Sequence, residues 1–334
     1  MKNFKGKIAF ITGGASGAGL GQAKVFAKAG MKVVITDVRR DALHSAVSEI
    51  INYAGCTAAD VLPLCFDLTN RKEYTDAADM VEKIFGGPPH LLIQTAGVNS
   101  FGPIEASTFD DFDWVMGVCL DHVVNGLIIF VPRMIKAYSG KEEFHVATTS
   151  SYGAFMAGGI TGPYSAAKAA VNNLMYSYAE SLPMYGGGAT VICPMNINSN
   201  IGDAEKFRPE HLRNTGYHVT EGTMAHLRSI HASGINPVEL AEILKEGIEN
   251  GRVIVLPNRD PDISIEMVHG NHEIIENYLK TADERKAIAE EMMAKRKFTD
   301  APPPGFDLPE GAEAFGSARG DLDYVASNRK PKAK

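Results

Sequence analysis

The sequence predicts an α/β chain built as a doubly wound, mostly parallel sheet. Three observations predict it. Short apolar runs alternate with helical patterns through about the first 195 residues, a glycine-rich turn joins the first run to the first helix, and an acid closes the second run. Strands are expected at 7–12, 32–37, 61–67, 90–95, 143–149 and 190–194, with a seventh at 252–256. The interiors of most are continuously apolar, as in strands covered by helices on both faces. Helices fit at 18–29, 40–54, 71–85, 109–136, 163–185 and 237–249. The run Gly186-Gly187-Gly188 suits the end of the fifth helix and its turn, where positive φ is needed.

The 334 residues suit one large α/β domain or two smaller ones, and 45% hydrophobic residues supply a sizeable core. A net charge of -7 gives no reason to expect a nucleic-acid partner. Cys56, Cys65, Cys119 and Cys193 show neither close pairing nor metal-ligand spacing. They read as reduced thiols of an intracellular protein, and no metal site is expected. The stretch from Ile8 to Ile11 is too short for a signal-peptide core, and no apolar run reads as a bilayer span. The expected setting is the cytoplasm, away from a membrane.

Two regions break the alternation. Residues 196–236 form a long connection carrying Arg208, His211, Tyr217, His226 and His231, and 200–236 is expected to be a substrate lid on a catalytic domain spanning 1–260. Residues 261–334 are expected to hold a helical stretch at 262–297 and then a Pro-, Gly- and charge-rich tail, extended or disordered.

Thr12-Gly13-Gly14-Ala15-Ser16-Gly17-Ala18-Gly19 follows the first strand and opens the first helix. Gly13, Gly17 and Gly19 let the backbone turn sharply and approach a pyrophosphate, and the helix start points unpaired N–H groups at it. Asp37, at the end of the second strand, can accept the two ribose hydroxyls of the adenosine half of NAD and would repel the extra phosphate of NADP. Arg39 and Arg40 argue the other way, but Ser16 stands where NADP users often carry a basic residue, so the balance favours NAD. Asp37 as a helix N-cap remains a second reading. Asp67 and Leu68 end the third strand and suit either the adenine edge or a plain turn.

Tyr164-Ser165-Ala166-Ala167-Lys168 places a phenol and an ammonium on one helical face. A phenol is a poor base near neutral pH, and a neighbouring ammonium favours its ionised form. The pair can therefore take the proton of an alcohol. Ser151, thirteen residues earlier at a strand end, can hold the substrate oxygen against the Tyr.

Taken together, the glycine loop, Asp37, Ser151 and the Tyr164/Lys168 pair resemble the short-chain dehydrogenase/reductase family over roughly residues 5–260. The resemblance implies a Rossmann fold with a seven-stranded parallel sheet, hydride transfer at the nicotinamide, and Lys168 bonding the nicotinamide ribose. It also implies cofactor contacts from Val38, Ala96, Gly97, Pro194, Ile197 and Ser199, and a homodimer or homotetramer built on the fourth and fifth helices. The stretches Ala96–Glu105, Asp110–Trp114, Phe130–Met134, Gly162–Tyr164 and Asn198–Ile201 look like the bacterial Cα-dehydrogenases. Those enzymes oxidise benzylic secondary alcohols of lignin-derived aryl ethers with NAD, which implies a small aromatic alcohol or ketone as partner.

Three departures stand out. Gln94-Thr95 replaces Asn-Asn, and a Thr hydroxyl is expected to bond backbone instead. Met195 follows Pro194 where the family has Gly. Cys119 stands where the family places an Asn whose main-chain carbonyl holds a water on the catalytic Lys. Cys119 reads as an inert buried residue, a reactive thiol or a sign of altered chemistry. Alternatives to the dehydrogenase are thus a same-fold enzyme of non-redox chemistry, an enzyme of another bulky alcohol such as a steroid, and a protein that binds cofactor but turns over poorly.

Overall fold

A computed structural model describes residues 1–156 and 158–257. Seven parallel strands, β1 (Ile8–Thr12), β2 (Lys32–Asp37), β3 (Val61–Cys65), β4 (Leu91–Gln94), β5 (Phe144–Thr149), β6 (Gly187–Ile192) and β7 (Ile254–Val255), lie in the order β3-β2-β1-β4-β5-β6-β7. The helices are α1 (Gly17–Lys28), α2 (Arg40–Ala54), α3 (Arg71–Phe85), α4 (Phe109–Met116), α5 (His122–Tyr138), α6 (Gly162–Ser181), α7 (Glu221–Ala232) and α8 (Pro237–Glu249). One core joins Ile11 and Ile93 to Phe26 of α1, Leu43 of α2 and Leu240 of α8. The other joins Phe10 and Leu92 to Tyr74 of α3, Phe130 of α5 and Val171 of α6. Both faces are therefore covered, which is why the strands read as apolar runs. Strand order reverses between β1 and β4, and a crevice opens at the carboxyl ends of the strands there.

Several expectations are corrected. The glycine run does not all belong to a turn: Gly186 takes φ 78°, but Gly187 and Gly188 already lie in β6 beside Phe144 and His145. A Cβ at Gly188 would stand 2.8 Å from the His145 ring, and one at Gly187 would enter the Phe144 ring. These two glycines serve close packing. The helix expected at 109–136 is interrupted by a π turn over Gly117–Asp121. Its continuous stretch Phe109–Tyr138 is long and apolar enough to cross a bilayer by composition, contrary to the sequence reading. However, 56% of its most apolar part is buried within the protein, so much of that apolar character serves the core.

The connection expected as irregular leaves and returns at one point. Asn198 N–H donates to Ile235 O at 3.1 Å, and Ile235 N–H donates to Asn196 O at 2.9 Å. Between these ends lie short 3₁₀ turns at Asn200–Phe207 and Glu210–Leu212, and α7. Helix α7 was not expected because its only buried residues are His226 and Leu227, so no apolar stripe marks it. It starts on Thr220, whose hydroxyl accepts from Thr223 N–H at 3.0 Å. The helical stretch and tail expected at 261–334 lie outside the described residues.

Candidate active site

The glycine loop is closed by sterics. Gly13 and Gly17 adopt φ 66° and 51°, a region that side chains other than glycine's enter at a cost. A Cβ at Gly13 would stand 2.9 Å from Ala96 Cα, and one at Gly17 would stand 2.9 Å from Ser199 Cβ. A Cβ at Gly19 would meet the Gly13 carbonyl. Ser16 is the N-cap of α1 yet makes no side-chain capping bond, so the N–H groups of that first turn stay available to a ligand.

Asp37 is buried at the end of β2 and is not a helix cap, because Arg39 occupies the N-cap of α2. Its Oδ1 accepts from Arg39 N–H at 3.1 Å and Nε at 2.9 Å, and its Oδ2 accepts from Nη2 at 2.8 Å. Arg39 Nη2 also donates to Ser16 Oγ at 2.8 Å, and the guanidinium lies 5.2 Å from the Phe207 ring centroid. The hydrogen bond to Asp37 raises the Arg39 pKa further. Asp67 forms the plain turn: its Oδ1 accepts from Thr69 N–H and Oγ1 at 2.9 and 2.8 Å.

Ser151, Tyr164 and Lys168 converge. Lys168 Nζ lies 5.5 Å from the Tyr164 ring centroid and donates to Thr149 O at 2.9 Å. Ser151 Oγ accepts from Gly153 N–H at 3.0 Å, which fixes the serine at the end of β5. Burial pushes the Tyr164 phenol well up, and a hydrogen bond with Ser151 works against that rise. Burial pulls Lys168 down. Both shifts favour uncharged forms, so a low-dielectric site amplifies any charge brought into it.

The three departures are accommodated differently. The Thr95 hydroxyl does not bond backbone. It donates to Gln22 Oε1 at 2.6 Å and lies 2.8 Å from Thr149 Oγ1, which also accepts from Gln22 Nε2 at 3.0 Å. This side-chain knot holds the strand end whose carbonyl carries Lys168. Cys119 sits fully buried in the π turn. Its thiol donates to Val98 O at 3.1 Å, and Val98 N–H points back at Sγ from 3.4 Å. The thiol thus acts as donor and acceptor for one backbone unit, as an Asn amide can. Burial raises its pKa, so the inert reading stands against the reactive one. Met195 is 61% exposed and belongs to the cavity wall.

Every residue named in the sequence as a catalytic or cofactor-binding candidate lines one cavity of about 940 Å³: Gly13, Ser16, Gly17, Gly19, Asp37, Val38, Asp67, Leu68, Ala96, Gly97, Ser151, Tyr164, Lys168, Pro194, Ile197 and Ser199. The lining also includes the apolar side chains of Phe101, Trp114, Met116, Met195 and Leu212, which make the cavity's apolar chamber. Sequence reasoning missed what supports that chamber. Arg208, fully buried, pairs with Asp111 at 2.8 Å and Glu205 at 2.7 Å, and its guanidinium lies 4.3 Å from the Trp114 ring centroid. Only half of this had a signal, the Thr108-x-x-Asp111 capping box of α4. Nothing in the sequence marks Arg208 as buried.

The sequence model of a family described as short chain dehydrogenase matches residues 7–208. A "C alpha-dehydrogenase" of Sphingobium sp. strain NBRC 103272 / SYK-6 is 50% identical over 257 residues, covering 77% of this chain and 82% of that protein. Among solved structures, LigD in its apo form, from Sphingobium sp. strain SYK-6, is 40% identical with a TM-score of 0.66, covering 83% of this chain and 99% of that one. A short chain dehydrogenase/reductase from Burkholderia phymatum in complex with NAD is 32% identical with a TM-score of 0.74, covering 83% of this chain and 96% of that one.

Proposed function

The chain belongs to the short-chain dehydrogenase/reductase family and is an oxidoreductase acting on CH–OH groups, and from that premise we propose that it oxidises a secondary benzylic alcohol to a ketone with NAD. The observation that carries the reading is that Ser151, Tyr164 and Lys168 line one cavity together with the glycine loop and a set of apolar side chains. The groove fits a dinucleotide, because a Cβ at Gly13 or Gly17 would fill the cradle and a carboxylate closes its far end. When bound, NAD supplies the hydride acceptor and a positive charge beside the phenol. Ser151 holds the substrate oxygen. Tyr164 takes the hydroxyl proton. Lys168 favours the phenolate and bonds the nicotinamide ribose.

The Burkholderia relative's NAD supports NAD here, and so does Asp37. Asp37 also occupies Arg39, which would otherwise be free to meet a 2′-phosphate. The Sphingobium relative and the apolar chamber support an aromatic substrate of the lignin-derived type. Burial of the Cys119 thiol removes one of the two motives for a non-redox reaction, the other being Met195. Phe109 and Ile128, 88% and 64% exposed on α4 and α5, both within the fourth helix expected at 109–136, suit a homo-oligomer contact, and the four free cysteines suit the cytoplasm.

The test is to mix the purified protein with NAD and a panel of benzylic carbinols and follow NADH absorbance. Steady NADH formation with an equimolar ketone is expected, with NAD preferred over NADP, and Asp37→Ala should reverse or erase that preference. Loss of carbinol without NADH, or equal use of NADP by the wild type, would defeat the corresponding part.

A further inference from the structure

Trp114 is the one tryptophan of the chain. It is 2% exposed, packed with Val115, Cys119, Ala167 and Ala204, and yet it forms part of the cavity wall together with Ser151 and Tyr164. The Arg208 guanidinium lies 4.3 Å from its ring centroid. That guanidinium is tied on every side. Nη2 reaches Asp111 Oδ1 at 2.8 Å, Nε reaches Glu205 Oε1 at 2.7 Å, and Nη1 donates to Leu212 O at 3.1 Å. Asp111 is fixed in turn, because its Oδ2 accepts from Thr108 N–H at 2.8 Å in the capping box of α4. It stands three residues before Trp114 on the same helix, so one helical turn sets the spacing of carboxylate and ring.

Stability alone gives no reason for this arrangement. Burying an ion-pair set costs desolvation, and apolar side chains of similar volume often serve stability as well or better. What the set does provide is a cation held in fixed register over an aromatic ring that walls the chamber. A cation on one face of an indole draws on its π density, so what remains open of the ring, edge hydrogens included, becomes a better contact for an electron-rich aromatic partner.

We propose that Arg208 is a positioning residue that holds Trp114 so that the small part of the indole left open to the cavity, 2% of the residue, meets the substrate's aromatic ring, and that the pair selects alkoxy-substituted aryl carbinols over electron-poor ones. The inference rests on the aryl-alcohol reading above and deepens it. The planar guanidinium of Arg208 pairs with Asp111 and Glu205 while lying over the ring, which a lysine ammonium does not reproduce.

The experiment compares wild type, Arg208→Lys, Trp114→Phe and Trp114→Leu on a dimethoxyphenyl carbinol, a nitrophenyl carbinol and a cyclohexyl carbinol. The intrinsic electronic effect on hydride transfer is common to all variants, so the change in substrate preference is the readout. Arg208→Lys should shrink the dimethoxy-over-nitro ratio of kcat/KM by about tenfold with NAD affinity unchanged, a difference of one decade in transition-state preference. Trp114→Leu should raise KM for both aryl carbinols by about tenfold while moving the cyclohexyl carbinol far less, and Trp114→Phe should restore most of the loss. A direct reading needs no turnover: in a Tyr164→Phe background saturated with NAD, the dimethoxyphenyl carbinol should quench the single tryptophan saturably. An unchanged ratio in Arg208→Lys, equal losses on aryl and cyclohexyl carbinols in Trp114→Leu, or no saturable quenching would overturn the proposal. If the wild type oxidises only the cyclohexyl carbinol, the aryl-alcohol reading itself fails. Wild-type turnover of aryl carbinols that is indifferent to Trp114 leaves that reading standing and sinks this one.

Discussion

The cavity is lined by the glycine loop and by the segment 200–236, and the two walls are built differently. The loop wall is close steric packing: Gly13 on the Ala96 backbone, Gly17 on the Ser199 side chain, and Gly19 on the Gly13 carbonyl. Behind it lies a dry core of Ile11, Phe26 and Ile35. The opposite wall is held largely by charge and hydrogen bonds. Arg208 pairs with Asp111 and Glu205, Arg228 with Asp203 and Glu221 at 2.6 Å each, and Lys206 with Asp203 at 2.8 Å. Asn214 N–H donates to Asp110 at 3.0 Å, and Thr108 Oγ1 donates to the Asn214 carbonyl. A wall made by steric exclusion admits few substitutions and suits a ligand of constant shape. A wall made by ion pairs can be re-cut residue by residue, which suits a substrate that varies between related enzymes.

The sharpest break is at the seam, where both walls meet the chemistry. Tyr164→Phe should lower turnover by about a thousandfold, within the range for loss of a general base, while NAD affinity measured by calorimetry stays close to wild type. Because burial raises the phenol, its proton is held at neutral pH, so the wild-type oxidation rate should climb as pH rises into the alkaline range. A pH-independent rate, or substantial turnover in the variant, would exclude Tyr164 as the base.

On the steric wall, Gly17→Val places branched carbon where Ser199 Cβ is 2.9 Å from even a single added methyl, at φ 51°. It should weaken NAD by about tenfold or more, since the strained turn must shift. The substrate KM measured at saturating NAD should move far less. Equal damage to both constants would erase the distinction between the walls.

On the polar wall, Arg228→Ala removes the link from α7 to Asp203 and the pair with Glu221 inside α7. Those groups are solvent-accessible, so the effect should be modest: a roughly threefold rise in KM with kcat and NAD affinity unchanged, shrinking further in high salt. A fall in NAD affinity instead would show that the segment supports the cofactor and not the substrate.

The smallest effect is expected at Cys119. Cys119→Asn can keep both bonds to Val98, so turnover should stay within about threefold of wild type. Cys119→Ala loses them and should lower stability by about 1–2 kcal/mol, seen as an earlier denaturant midpoint, with turnover little changed. Slow alkylation of the native protein at Cys119 would agree with the buried thiol. A large loss of turnover in both folded variants would give the thiol a chemical role.

The two walls also differ in how far they were legible. The loop wall was open to reading because its demands act on single residue types at short range. Glycine at positive φ, a helix start after a strand and an acid at a strand end each leave a local mark. The triad was legible for the same reason, since Tyr164 and Lys168 are one turn apart and Ser151 closes the neighbouring strand. The polar wall was not. Helix α7 lacks an apolar stripe, and Arg208 meets Asp111 nearly a hundred residues away, a pairing no local pattern encodes. Gly187 and Gly188 misled because a close approach to Phe144 and His145 leaves the same mark as a turn.

By itself, the sequence determined the layer order, the parallel sheet and the identity of three groups, Ser151, Tyr164 and Lys168, that meet in one cavity. Periodicity, glycine placement and helical spacing are properties of a few adjacent residues, and elementary sterics reads them directly. Only the tertiary structure decided what Asp37 does in the free protein, how Cys119 replaces an amide, and which cation lies over Trp114. Each of those depends on a partner brought close by folding. In a buried, low-dielectric site the partner, and not the residue type, sets whether a charge is free, paired or poised against a ring.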